Sequence, residues 1–333
     1  MTDQTAKKPR IKQGWLRVIL FGLAFIVVTL LILFSALAGF VVGNADQLKK
    51  DPTRFMAGIL QGDHLWMMVV LEFVVSLITV WVFRIFIDRR SMASLGLTPA
   101  GYGQESIIGF FTGPALLGLL SIILMLTGHL QWVDITPDAN TLFISFGMVV
   151  LIACSEELVF RGYVLSNLLE SFTGETTGLP AEGPSTDDLR RKGNFSGNLS
   201  SQSGKWVALL LSALCFAIFH FSSPGLTALA FANLFLAGIL LGINYMYTRN
   251  LWFSIFLHLS WNFFQGPLLG SHVSGLTMPT LLQMEVNGDW LITGGDFGLE
   301  GSVLNTALSL IAILILALAF EKKYNARAQV NPT

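Results

Sequence analysis

The stretch Cys154-Ser155-Glu156-Glu157-Leu158-Val159-Phe160-Arg161-Gly162 decides how this chain is read. It interrupts an apolar run, Thr141 to Ala153, that otherwise has the make-up of a membrane helix, and the run resumes as Tyr163-Val164-Leu165. Two carboxylates and a guanidinium at bilayer depth cost free energy, so they mark a functional site with partners to be named. On a helix, residues four apart share a face, so Glu157 can pair with Arg161. Glu156 and Arg161, five apart, point about 140° away from each other at about 100° per residue. Glu156 is therefore the less neutralised carboxylate, the one free for chemistry.

Composition places that stretch in a membrane protein. Of 333 residues, 53% are hydrophobic and 12% charged, about half the charged share of a soluble domain. A net charge of −1 gives no electrostatic case for nucleic acid. Cys154 and Cys215 both lie in apolar segments, so a disulfide framework does not organise the fold.

A hydrocarbon core of about 30 Å takes about 20 apolar residues per helix. Eight stretches qualify or nearly do: 15–43, 65–87, 105–127, 140–169, 205–222, 225–247, 251–269 and 303–320. The expected fold is all-α, a polytopic transmembrane helical bundle of about eight spans. The first three and the last read as plain lipid-compatible helices, whereas the fourth, fifth and seventh carry ionisable groups. With the N-terminus cytoplasmic, the inner connections hold Lys7, Lys8, Arg10, Lys12, Arg89, Arg90, Arg190, Arg191, Lys192, Arg249, Lys322, Lys323 and Arg327. The outer ones hold only Lys49, Lys50 and Arg54. This bias predicts an integral protein of the cell (inner) membrane with both termini cytoplasmic. Ala36-Leu37-Ala38 resembles a signal-peptide cleavage site, but the apolar run is long for one and reads as an uncleaved anchor.

The chain divides into N-terminal helices (1–139), a core (140–269) and an outer loop with a final helix (270–333). Within the core, 171–204 is rich in Gly, Ser, Thr and Asn and reads as a flexible insert. It carries Asn194-Phe-Ser and Asn198-Leu-Ser, glycosylation patterns that a cytoplasmic loop leaves unused. Residues 270–302, with several glycines and Trp290, could lie over the outer face as a lid.

Three helices bring polar groups to membrane depth: Glu156, Glu157 and Arg161 on the fourth, His220 ending Phe216-Ala-Ile-Phe-His220 on the fifth, and His258 with Asn262 on the seventh. Such groups face the bundle interior, so the three sets are expected to converge. Together they supply a carboxylate base, two imidazoles and an amide donor. Peptide hydrolysis without a covalent intermediate needs these parts, one to deprotonate water and one to stabilise an oxyanion.

The pattern Glu-Glu-x-x-x-Arg, then Phe-x-x-x-His, then His-x-x-x-Asn resembles the intramembrane proteases related to type II CAAX prenyl endopeptidases, a family that includes bacteriocin-processing and self-immunity proteins. The resemblance covers about 140–267, with all three motifs in order, each within an apolar helix. It implies an endopeptidase acting on a membrane-associated or prenylated-type peptide. Glu156 then looks like the base that activates water, helped by His220. His258 and Asn262 look like the oxyanion pair, and Glu157 with Arg161 like a supporting charged pair. The family has also been described as metalloproteases. If a metal such as zinc is bound, its ligands would be Glu156, His220 and His258. The spacing does not compel one, and no His-Glu-x-x-His occurs, so a metal-independent mechanism is placed first and no cofactor is required.

Competing readings stay open. Glu157 and Arg161 could be a structural ion pair and nothing more. Ser155 has no nucleophile motif around it, and the Gly-x-Gly-Asp pattern of aspartyl intramembrane proteases is absent, the nearest text being Thr293-Gly-Gly-Asp296. A proton-coupled transporter would draw on the helix breaks Gly113-Pro114 and Gly266-Pro267. A non-catalytic membrane immunity or interaction protein would not need Glu156 at all. The partners common to these readings are the lipid bilayer and, for the protease, a peptide or protein substrate.

Overall fold

The computed structural model describes residues 8–43, 45–50, 65–174 and 199–330. Of the expected flexible insert, residues 175–198 lie outside the described residues, with Asn194 and Asn198 of the glycosylation patterns among them, whereas 171–173 and 199–204 are helical rather than loop. Helix α1 runs Gly14–Gly43 and α2 runs Leu65–Val82, continued by a π-helical turn Phe83–Ile87. Helix α3 spans Gly103–Leu126. Helix α4, Ala139–Glu157, passes through a π-helical segment Leu158–Leu165 into α5, Ser166–Thr173. Helices α6 (Leu199–Phe219), α7 (Ala228–Thr248), α8 (Trp252–Phe263) and α9 (Val303–Val330) complete the bundle.

Seven helices among the described residues are long and apolar enough to cross a membrane. The chain is an integral membrane protein. The eighth expected span is α8, 12 residues long, prolonged by a five-residue π turn Phe264–Leu268 that holds Gly266 and Pro267. Its position comes from packing rather than length: it lies along α3 and against α4, while α7 lies between α6 and α9.

Two features depart from the sequence reading. First, strands β1 (Leu130–Ile135) and β2 (Leu282–Val286) pair antiparallel, Leu130 opposite Val286 and Ile135 opposite Leu282, with an irregularity between Trp132 and Asp134. They join the connections that follow α3 and α8, a pairing across about half the chain that local periodicity does not signal. Second, the first three helices and the last are not plain. Arg17 of α1 meets Asp88 at 3.1 Å, and Arg84 at the end of α2 meets the same carboxylate at 2.9 Å, all three fully buried. Glu170 of α5 takes Arg17 at 3.1 Å and Arg90 at 2.7 Å. Glu105, opening α3, accepts from Lys323 Nζ and Tyr324 Oη of α9, each at 2.8 Å. These ion pairs fasten one end of the bundle, where the helices would otherwise be held by dispersion alone.

Candidate active site

Helix α4 delivers its carboxylates at the junction where α geometry gives way to π. An i→i+5 segment inside an α-helix turns the downstream residues about the helix axis and recurs at functional sites. Every residue from Ser155 to Leu169 is buried. Across that junction Arg161 Nη1 lies 2.9 Å from Glu157 Oε1, the i,i+4 pair expected from the spacing. The guanidinium also donates to Gly238 O at 3.2 Å and stacks over Phe216 at 4.5 Å. Ser155 Oγ donates to Ile152 O at 2.9 Å, a helix-backbone bond.

All the expected site residues converge. His220, at the C-terminal end of α6, places Nε2 3.8 Å from Glu156 Oε2, and His258 of α8 places its Nε2 4.0 Å from the same oxygen. Asn262, one turn along α8, lines the same cavity. The cavity holds about 470 Å³ and is bounded by α1, α2, α4, α6, α7, α8, α9 and the connection 270–302. Its walls are largely apolar with a minority of polar groups, His220 and His258 beside Glu156 among them, as expected of a ligand pocket.

The other ring nitrogens are committed. His220 Nδ1 lies 2.9 Å from Phe216 O, and His258 Nδ1 lies 2.8 Å from Glu157 Oε1. A carbonyl and a carboxylate only accept, so both Nδ1 atoms carry hydrogen, and in neutral rings both Nε2 atoms carry lone pairs. Three acceptors thus face one another, and Glu156 Oε2 is buried with no hydrogen-bond donor among the described residues. Such a triangle is satisfied by a water molecule, or by a proton on one ring.

The sequence reading missed two carboxyls. Glu72 of α2 lines the cavity, as does Glu300 of the outer connection. Glu72 was detectable as an acid inside an apolar span. Glu300 sits in a polar loop and carried no such signal. His129 and His272 stay outside the cavity lining: His129 Nδ1 contacts Thr127 Oγ1 and His272 Nδ1 contacts Asp296 O. Among the described residues no group of three or more His, Cys, Asp or Glu is arranged to hold a metal ion.

Fold and site together define a membrane-embedded helical bundle with a buried carboxylate–imidazole centre. Residues 138–264 match the family model described as type II CAAX prenyl endopeptidase Rce1-like, and this segment is similar to that family of CAAX-type proteases. It contains every residue of the Glu156, His220 and His258–Asn262 sets. Neither the curated proteins nor the solved structures hold a match to the chain.

Proposed function

We propose that this protein is an intramembrane endopeptidase that hydrolyses a membrane-associated or prenylated-type peptide with water activated by Glu156. The observation that carries the reading is Glu156 Oε2, buried without a donor, facing the Nε2 atoms of both histidines at 3.8 and 4.0 Å. A water between them donates to the carboxylate and gives up that proton as its oxygen bonds to the substrate carbonyl carbon. His220 relays the proton to the amine nitrogen as the C–N bond breaks, leaving a carboxylic acid and an amine. Asn262 offers an amide donor to the oxyanion with no change of protonation. His258 can join it only as the cation, because its Nδ1 hydrogen is already given to Glu157. The carboxylate of Glu157 is the natural partner of that cation.

The spacing also favours a metal-independent step. Zinc held tetrahedrally at about 2.0–2.2 Å sets its ligand atoms about 3.3 Å apart. Separations of 3.8 and 4.0 Å are too wide for that without ring movement, whereas a water about 2.8 Å from each atom fits between them.

Of the two helix breaks the transporter reading draws on, Gly113-Pro114 does not interrupt its helix. Helix α3 is continuous through Pro114. A Cβ on Gly109 would lie 2.4 Å from Phe253 O, and one on Gly113 would lie 2.6 Å from Ser260 Oγ. Those glycines serve the close approach of α3 to α8, the packing use of small residues in membranes.

The test compares membrane-protein termini in host cells lacking this protein and re-supplied with wild type or Glu156→Gln at matched expression. Peptide ends that appear only with wild type are expected. Identical end profiles from the two forms overturn the protease reading.

A further inference from the structure

We infer that Glu300 is a positioning residue of this active centre, fastening the outer connection 270–302 over His220 and presenting a fixed carboxylate to that imidazole. The inference rests on the protease reading and concerns a residue outside the family-matched segment.

The backbone and the side chain of Glu300 are both held. Its carbonyl accepts from Asn233 Nδ2 of α7 at 2.8 Å and from Asn305 Nδ2 of α9 at 2.9 Å. Its carboxylate accepts from the Ser274 backbone N–H and from Ser274 Oγ, the latter at 2.9 Å. Ser274 has a left-handed φ of 49° and is followed by Gly275 at 81°, in a tight turn closed by Val273 N→Leu276 O at 3.0 Å. A non-glycine residue in that region is uncommon and costs free energy. Here the conformation aims the Ser274 N–H at Glu300.

The same turn docks on the segment that follows His220. A Cβ on Gly275 would lie 2.0 Å from Pro224 O, and one on Gly225 would lie 2.9 Å from the backbone of Asp296 and Phe297. Only hydrogen fits in those places, so the two backbones touch directly. His220 O in turn accepts from Ser223 N at 3.0 Å. Glu300 thereby lines the cavity with His220, and the two attract electrostatically. Trp261 is the other neighbour acting on the carboxylate.

His220 thus lies in the field of two carboxylates, Glu156 ahead of Nε2 and Glu300 on the side of the outer connection. When the ring takes up the proton bound for the departing amine, it becomes a cation in a largely apolar cavity. A carboxylate already in place stabilises that charge without reorganising, which is how fixed groups lower a barrier. Glu300 exchanges no atoms with the substrate.

The experiment uses the full-length protein in detergent, with a peptide bearing one of the ends that wild type alone generates in host membranes. Glu300→Gln keeps the acceptor for Ser274 and removes the charge. Its kcat is expected to fall by about 10- to 100-fold with KM within about twofold of wild type, the mark of a group felt only in the transition state. Its thermal midpoint is expected not to fall, and Glu300→Asp to recover part of kcat. An unchanged kcat, a rise in KM alone, or a loss of kcat accompanied by a lowered midpoint overturns the inference. If wild type cleaves, Glu156→Gln does not, and Glu300→Gln matches wild type, only this inference fails. If wild type and Glu156→Gln generate the same ends, the protease reading fails and takes this inference with it.

Discussion

Glu157 holds His258 by Nδ1 at 2.8 Å with the same carboxylate oxygen that meets Arg161 Nη1 at 2.9 Å. What the spacing presents as a helix-stabilising ion pair is therefore the middle of a chain, Arg161–Glu157–His258, that fixes the tautomer and orientation of an imidazole in the cavity.

Arg161→Ala strands Glu157 as a buried carboxylate, and breaking a buried pair from one side costs about 3–5 kcal/mol. The double variant Arg161→Met with Glu157→Gln removes both charges and is expected to regain much of that stability. It is not expected to regain turnover, because Gln no longer compels hydrogen on His258 Nδ1. Thermal unfolding and turnover of the three forms check this. Arg161→Ala melting at the wild-type temperature would show that the pair bears no load.

Asp88 joins Arg17 and Arg84, all three side chains fully buried. Asp88→Ala leaves two arginines without their shared carboxylate and is expected to cost about 3–5 kcal/mol or more. Since none of these residues lines the cavity, the fraction that stays folded should turn over substrate normally. Specific activity per folded molecule, after removal of aggregate, measures it. A selective loss of kcat would tie this end of the bundle to the chemistry.

Metal removal separates the two hydrolytic mechanisms. Protein treated with a strong zinc chelator and desalted is expected to keep its activity. Activity lost on chelation and restored by stoichiometric zinc would establish Glu156, His220 and His258 as ligands instead.

Burial pushes the Glu300 carboxyl above its ordinary range, against the lowering effect of its Ser274, His220 and Trp261 neighbours. A carboxyl with a raised value binds its proton more tightly folded than unfolded. Folding stability therefore falls as pH rises through the window between the two values. The penalty is absent below the unfolded value, about pH 4.3, and fully present above the folded one. Glu300→Gln should accordingly melt at or above the wild-type temperature at about pH 8, with the difference shrinking towards about pH 4. A midpoint below wild type across that range would show that the charge helps the fold.

Much of the fold was legible because membrane helices announce themselves by length and apolarity, and because a polar group at that depth needs a reason. The motif residues Glu156, His220, His258 and Asn262 stood out for that reason, and an interior destination was the only inexpensive one for them. Glu72 carried the same signal yet was passed over beside the denser cluster. Glu300 carried none, since an acid in a polar connection is ordinary until that connection folds back over the cavity. The β1–β2 pairing was hidden because its strands lie about 150 residues apart and each is short.

The amino-acid sequence by itself determined the membrane class, the number of helices to within one, and the Glu157–Arg161 pair. These come from composition and from geometry within a single helix turn. Only the tertiary structure decided which carboxylate faces which imidazole. Glu157 and His258 are 101 residues apart, and the sequence reading had assigned them to separate tasks. It also decided that an outer loop contributes a carboxylate to the cavity. Contacts of that range are set by how helices pack and where close-approaching glycines let backbones meet, and no local periodicity carries that information.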